Sequence, residues 1–351
     1  MHNQTIIIDL ANDVFELGIV GQSGKITQRH RLRRADFAHF MRSAAPSRVV
    51  MEACGSAHHW ARTFQAIGHQ VSLIPPQYVA PYRRRNKTDR ADVSAILSAS
   101  REDEINPVRV KSVDQQNLQL CHRMREQWKQ TRNARINSLR AVLREHGHVF
   151  ALGANVFLKE VRLVIDEQDD LRFLLPLLNA LLEEIDQCAQ NMAHVEKLLK
   201  VAQANNADID RLQTVPGIGL MTSTGLVAAV ADPSTFRNGR QLANWLGITP
   251  KEHSSGDTRR MGGITHQGNT YLRMLFIHGA RSVLAHARRI RSIAPESLSA
   301  LQQWAAQLSD RAGFNKAAVA LANKLVRIAW AVWRHQRAFE GQPAAMAEVP
   351  A

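Results

Sequence analysis

Thr5-Ile6-Ile7-Ile8-Asp9-Leu10, then Ala11-Asn12-Asp13, then Val14-Phe15-Glu16-Leu17-Gly18-Ile19-Val20 is the stretch on which the reading of the N-terminal third turns. Both apolar runs are short and rich in β-branched residues, which favours strands over helices. After a turn at Gly21–Gly24, residues 25–33 complete an antiparallel meander. Residues 35–44 have helical periodicity. Residues 48–53 read as a buried strand, and 58–68 as a helix stopped at Gly68. A strand over 71–75 ends at Pro75-Pro76, and 88–101 reads as a helix. The order is β-β-β-α-β-α-β-α.

Two of these strands end in an acid. Asp9 follows Ile6-Ile7-Ile8, and Glu52 follows Val49-Val50-Met51. A carboxylate closing an apolar strand is unfavourable in a core unless it is paired or binds a cation. Asp89 and Asp92 are three apart on a predicted helix and project from one face. The element order is that of the RNase H/RuvC-like fold, although order alone is a weak fold signal. A fold that joins the two strand ends to that helix makes an all-oxygen cluster suited to Mg²⁺ or Mn²⁺. Two such ions can activate a nucleophile and stabilise the leaving oxygen in phosphodiester cleavage. Taken singly, each acid reads as a turn residue or a helix-terminal acid; their joint placement carries the metal-site reading. Asp13 and Glu16 are weaker candidates. Arg83-Arg84-Arg85-Asn86-Lys87, with Arg90 after it, fits a scissile phosphate, or else a solvated basic face.

The whole chain agrees with a nucleic-acid partner. Its 351 residues carry a formal net charge of +14, which attracts polyanions over long range. At 45% hydrophobic content it can bury a core, so wholesale disorder is excluded. No apolar run approaches the ~20 residues that span a bilayer. Met1 to Gln4 lack the features of a signal peptide, so a cytoplasmic setting is expected. Cys54, Cys121 and Cys188 match no zinc spacing and suit a reduced compartment.

Residues 113–148 form a long, basic helical stretch holding Arg123, Arg125, Lys129, Arg132, Arg135, Arg140 and Arg144. Leu178, Leu181, Ile185, Cys188, Met192, Val195 and Leu199 follow at alternating steps of three and four, a heptad seam. The middle region therefore reads as a helical, partly coiled-coil linker, or as an ordinary packed helix. The seam could also serve self-association. A compact, mainly helical region comes next. Thr214-Val215-Pro216-Gly217-Ile218-Gly219 lies between two helical runs, as in a helix-hairpin-helix, where the Gly217 and Gly219 amides can meet a phosphate. A polar loop from His253 to Thr265 holds Ser254, Ser255, Arg259 and Arg260. A serine there could attack phosphorus, but serine in a glycine-rich loop is more often a turn former. Arg273, on the helix after Gly268-Asn269, is a further phosphate candidate, as are Arg123, Lys129 and Arg132; the alternative for each is plain surface charge. The domains expected are 1–110, catalytic; 111–207, linker; 208–335, C-terminal; and 336–351, a tail without fixed structure.

Ile7-Ile8-Asp9-Leu10-Ala11, Met51-Glu52-Ala53-Cys54-Gly55-Ser56-Ala57-His58-His59-Trp60 and Lys87-Thr88-Asp89-Arg90-Ala91-Asp92 resemble the DEDD transposases of bacterial insertion sequences, relatives of the Piv-type DNA invertases. Val215-Pro216-Gly217-Ile218-Gly219, Leu246-Gly247-Ile248-Thr249-Pro250, Ser254-Ser255-Gly256, Gly263-Ile264-Thr265 and Gly268-Asn269-Thr270-Tyr271-Leu272-Arg273 resemble the second domain of the same family. The resemblance covers almost the whole chain in order. It implies a RuvC-like domain, a coiled-coil linker and a C-terminal transposase domain. It implies Asp9, Glu52, Asp89 and Asp92 as the DEDD acids and Ser255 as a covalent nucleophile, with Ser254 the adjacent alternative. It also implies a structured guide RNA encoded by the element, donor and target DNA, and dimers or tetramers in which acids of one subunit meet the serine of another. The Ala-Cys-Gly-Ser-Ala-His-His-Trp segment is similar to the subgroup whose RNA comes from beside the transposase gene. Val93 departs from the motif, where Ala is common. The competing readings are a RuvC-type, metal-dependent junction nuclease with water as nucleophile, and a non-catalytic nucleic-acid-binding protein. A tyrosine recombinase is disfavoured because Tyr78, Tyr82 and Tyr271 lack a recognisable basic catalytic set.

Overall fold

The computed structural model describes residues 4–83, 88–256 and 258–341, without the side chains of Asp89 and Val164. The tail beyond Gly341, expected to lack fixed structure, lies outside the described residues. Two compact units are present, the first ending at Val113 and the second starting at Asp114.

In the first unit the opening stretch forms β1 (Thr5–Asp9) and β2 (Val14–Val20), followed by β3 (Ile26–Arg33), α1 (Arg34–Ser43), β4 (Arg48–Glu52), α2 (Ala57–Ala66), β5 (Gln70–Ile74), α3 (Pro76–Val79) and α4 (Asp89–Ala99). The sheet order is β3-β2-β1-β4-β5. β1, β2 and β3 pair antiparallel, whereas β4 lies parallel to β1 and β5 parallel to β4. This arrangement agrees with the RuvC-like expectation for the first domain.

Strand residues alternate between two cores, as a period of two requires. On one face Ile6, Ile8, Phe15, Leu17, Val49 and Met51 pack against Phe37 and Met41 of α1 and Trp60 and Phe64 of α2. Phe15 stacks on Phe37 with ring centroids 4.2 Å apart. On the other face Ile7, Val20, Val50 and Ile74 pack against Val93, Ala95, Ile96 and Ala99 of α4. Gly18 lets α4 lie this close, since a Cβ there would come within 2.7 Å of Val93 Cγ1. The Thr88 side chain caps α4 by accepting from the Ala91 N–H at 3.2 Å, a cap worth about 1 kcal/mol. Arg29 of β3 donates to the Arg90 carbonyl (3.2 Å) and to Ser94 Oγ (3.0 Å), holding the same turns of α4.

The second unit takes in nearly all of α5 (Val113–Glu145), then α6 (Ala154–Val164), α7 (Leu175–Ala204), α8 (Ala207–Gln213), α9 (Leu220–Val230), α10 (Gly239–Trp245), β6 (Pro250–Glu252), β7 (Met261–Ile264), α11 (Thr270–Arg291), α12 (Ala300–Ala312) and α13 (Phe314–His335). α5 and α7 run antiparallel: Arg125 pairs with Glu196, and Arg135 with Glu184. Ile136, Leu139 and Leu143 meet Leu178, Leu182 and Ile185, with Phe157 and Val161 of α6 closing the end. Within the expected seam, Leu182 is buried where Leu181 was anticipated, and Met192 is only half-buried. A larger core joins α8–α13 around Leu226, Phe276, Leu321 and Leu325. Gly217 (φ +79°) and Gly279 of α11 meet backbone to backbone; a Cβ on Gly279 would lie 2.0 Å from the Gly217 oxygen.

One polar chain is buried beside that core. His122 of α5 is 4% exposed, with Nδ1 3.0 Å from Tyr271 Oη and Nε2 3.0 Å from Thr224 Oγ1. The Thr224 hydroxyl donates to the Leu220 carbonyl at 2.5 Å. Its oxygen therefore accepts from the His122 Nε2–H, and His122 Nδ1 accepts from the Tyr271 O–H. Burial, helped by the nearby Arg125, pushes the His122 pKa down to about 4. Burial pushes the Tyr271 phenol up to about 12.

His122 is thus neutral in the folded unit and takes up a proton on unfolding at any pH between about 6.5 and 4. Its contribution is complete above pH ~6.5 and is lost as the pH falls toward 4, on the order of 3 kcal/mol in all. Denaturant unfolding followed from pH 7 to pH 4.5 should show this loss, and His122→Gln should flatten the slope. An unchanged slope in the variant would place the acid lability elsewhere.

Candidate active site

Asp9 and Glu52 come together through strand pairing. β1 and β4 run parallel with Ile8 opposite Met51, so both acids stand one residue further at the same edge of the sheet. By alternation each shares its face with its second neighbour, Ile7 or Val50, and that is the α4 face. Both are half-buried. Glu16 lies across β2 opposite Asp9, on the same face. Asp92, in the first turn of α4, is 7% exposed and one turn before Ile96 on the side that packs on the sheet. Asp89 opens α4, three residues before Asp92.

Arg83 sits between these acids. Its Nη2 is 2.7 Å from Glu52 Oε2 and its Nε is 2.9 Å from Asp92 Oδ1. Asp92 Oδ1 nevertheless has no directed hydrogen bond and no contact with solvent. The Arg83 guanidinium stands where a cation would be expected among carboxylates, and a buried carboxylate oxygen has an ion-pair neighbour but no directed hydrogen bond. Both observations fit a divalent metal. Among the described residues no three His, Cys, Asp or Glu side chains converge as a ready-made set, and the Asp89 side chain is not among them. Arg83, expected on sequence to contact nucleic acid, is here paired with the acids. Arg84, Arg85 and Lys87 lie outside the described residues. Arg90 is exposed.

The serine loop is a β-hairpin. β6 and β7 pair antiparallel, and the Ser255 and Thr258 backbones bond each other near its tip, at 3.2 Å each way. Ser254 Oγ donates to Glu252 Oε1 at 2.7 Å, and Arg259 Nε lies 3.3 Å from the same oxygen. Ser255 is exposed, and among the described residues its hydroxyl has no hydrogen bond. The base of the hairpin is held by close backbone packing. Gly247 (φ +69°) and Gly268 (φ +84°) sit where a Cβ would come within 1.9 Å of the Gln267 and Trp245 oxygens, respectively. Arg273 lies beneath, 7% exposed, and donates to the carbonyls of Leu246 (2.9 Å) and Gln267 (3.1 Å) and to Thr270 Oγ1 (3.1 Å).

That burial corrects one expectation. Arg273 is not placed to meet a phosphate; its donors join the two feet of the serine hairpin. The sequence carried no sign of this, because the acceptors are main-chain carbonyls supplied by tertiary packing. Arg123, Arg259 and Arg260 are exposed. Lys129 pairs with Glu126 at 3.2 Å, and Arg132 is half-buried. Gly217 turns inward against Gly279, whereas Gly219, at the start of α9, has open space on its Cβ side.

Residues 8–148 match a family model for transposases of the DEDD IS110 type. Residues 209–294 match the model described as the transposase IS116/IS110/IS902 family. The transposase for insertion sequence element IS1111A of Coxiella burnetii is 37% identical over 336 residues, covering 95% of this chain and 90% of that protein. A probable family 20 transposase of Pseudomonas aeruginosa is 37% identical over 335 residues, covering 95% and 97%. The pilin gene-inverting protein of Moraxella bovis is 26% identical over 304 residues, covering 83% and 81%.

Two measurements check this geometry. Arg83→Gln removes the guanidinium that competes for Glu52 and Asp92, and should bind Mn²⁺ roughly fivefold tighter by calorimetry, given two partly exposed ion pairs; weaker binding would make Arg83 part of the metal site rather than a competitor. Arg273→Met should cost on the order of 3 kcal/mol through three orphaned acceptors and speed amide exchange across 250–264 more than elsewhere. Uniform exchange would refute the clamp.

Proposed function

This chain belongs to the IS116/IS110/IS902 transposase family, and from that premise we propose that it exchanges DNA strands using Asp9, Glu52, Asp89 and Asp92 as a Mg²⁺ or Mn²⁺ site and Ser255 as a covalent nucleophile. As a transposase it is a DNA-cleaving and DNA-joining enzyme, and its DEDD acids imply dependence on a divalent metal. The observation that carries the proposal is the shared edge of β1 and β4, with Asp9 and Glu52 facing α4 and a guanidinium held between Glu52 and Asp92.

When bound there, a divalent ion would polarise the phosphate and offset negative charge on the leaving oxygen. The acids keep that charge at one edge of a rigid sheet. Ser255 Oγ attacks phosphorus, its proton passes to a base or to water, and one P–O bond forms as the bond to the leaving sugar oxygen breaks. A sugar hydroxyl of another strand reverses the step and frees the serine. The number of phosphoester bonds is conserved, so rejoining needs no external energy source. The choice of Ser255 over Ser254 is supported by the Ser254 hydroxyl being engaged by Glu252. Exposed Arg90, Arg123, Arg259 and Arg260, and the amide of Gly219 at the start of α9, would hold the backbone of DNA or of a structured guide RNA. In this reading the Gly217–Gly219 turn acts as a helix-hairpin-helix contact, and α5 and α7 form the coiled-coil arm through which two or four copies assemble.

Asp9→Asn and Ser255→Ala should each reduce strand exchange about a thousandfold or more while nucleic-acid binding persists. Ser254→Ala should retain exchange. Denaturing gels of the reaction should contain a protein–DNA adduct that Ser255→Ala lacks. An adduct that survives in Ser255→Ala would sink the nucleophile assignment. Metal-dependent cutting without any adduct would favour a hydrolytic junction nuclease.

A further inference from the structure

α5 and α9 leave a cavity of about 310 Å³ between them, within the second unit. Its size is at the small end for ligand sites, enough for one planar ring system and too small for a duplex. The space exists because α9 presents only Gly225, Ala228 and Ala229 to it, opposite the long side chains of α5. At Gly225 a Cβ would already lie 3.5 Å from the His122 ring. Tyr271, at the start of α11, lines the cavity and closes the buried chain through His122 to Thr224.

That chain fixes the polarity of the site. Thr224 spends its proton on the Leu220 carbonyl, His122 gives its Nε2–H to Thr224, and Tyr271 gives its proton to His122 Nδ1. The relay ends on a main-chain carbonyl, so it carries no proton to or from a substrate. Its effect is to turn the Tyr271 hydroxyl inward and leave its oxygen as an acceptor only. Glu126, also lining the cavity, pairs with Lys129 and keeps further lone pairs, so it is a second acceptor. Arg123, on the same face of α5, is an exposed cation at the edge. A matching ligand is flat, carries an N–H donor group and has an anion attached to its outer side.

We propose that this cavity is a nucleobase pocket, which receives one unstacked, amine-bearing base (adenine, guanine or cytosine) of a bound strand, with its phosphate at Arg123. The proposal rests on the reading of the chain as a nucleic-acid-binding recombinase. Uracil and thymine have no exocyclic amine and offer a single ring N3–H between two carbonyl oxygens, so they satisfy at most one of the two acceptors, Tyr271 and Glu126; a site built on hydrogen bonds discriminates against the base that leaves one unmet.

The test uses the full-length protein with AMP, GMP, CMP and UMP, and with dAMP and dTMP, binding being followed by saturation-transfer NMR and calorimetry. AMP, GMP and CMP are expected to bind at least fivefold tighter than UMP, and dAMP at least fivefold tighter than dTMP. The ratio of AMP to dAMP affinity reports whether the base comes from RNA or DNA. Tyr271→Phe should weaken AMP about fivefold and leave UMP unchanged. Ala229→Trp, which fills the cavity, should abolish nucleotide binding, with Ala228→Leu as a milder variant should the tryptophan prevent folding. UMP binding as tight as AMP, no binding of any nucleotide at millimolar concentration, or normal binding by a folded cavity-filled variant would each overturn the pocket. Duplex DNA binding by the wild-type protein, measured on the same preparation, separates the two failures. If it is retained while nucleotides fail to bind, only the pocket falls; if it is absent, the recombinase reading falls.

Discussion

Parallel pairing of β1 with β4, in the register that sets Ile8 against Met51, places Asp9 and Glu52 at one edge of the first unit's sheet. A slip of one residue would turn Ile7, Asp9 and their neighbours to the opposite face of the sheet. The register is held from both sides, because Ile6 and Ile8 are claimed by the core under α1 and α2 while Ile7 and Val50 are claimed by the core under α4. Hydrophobic burial fixes which way Asp9 and Glu52 point. The missing side chain of Gly18 then lets α4 bring Asp92 to the same edge.

Concentrating carboxylates at one sheet edge costs electrostatic free energy, and the fold meets that cost with cations from outside the motif. Arg83 reaches Glu52 and Asp92, while Arg29 holds the first turns of α4 by its carbonyl and hydroxyl groups. Charge and positioning are thus divided between two arginines. One contacts the acids directly, and the other fixes the helix that carries one of them.

The second unit solves a different problem, that of presenting an exposed hairpin from a helical scaffold. It does so with main-chain contacts: Gly247 and Gly268 allow two loops to touch, and Arg273 joins their carbonyls from below. The rigid base leaves the tip open, with Ser254 tied to Glu252 and Ser255 exposed. A similar economy governs the buried His122 chain, where a helical carbonyl terminates the hydrogen-bond sequence and so sets the direction of every proton in it.

Much of this was legible in the chain itself. Short β-branched runs, helical periodicity and glycine stops gave the five strands and the three longer helices of the first unit to within a residue or two, because those signals are local, but not the single turn α3 after Pro75. The continuous apolar runs Ile6-Ile7-Ile8 and Val49-Val50-Met51 were enough to say that Asp9 and Glu52 end buried strands, and the basic excess was enough to name a polyanion as partner. The interactions that span the chain were not legible. Arg83 meets an acid 31 residues away, and His122 meets a tyrosine 149 residues away. Arg273 looked like a surface cation because its partners are carbonyls, which every residue possesses. Sequence by itself determined which residues carry the charge and which segments become strands or helices, since both follow from side-chain chemistry and local periodicity. Only the tertiary structure decided which of those charges face one another and which are spent on holding the fold, since that depends on close packing between segments far apart in the chain.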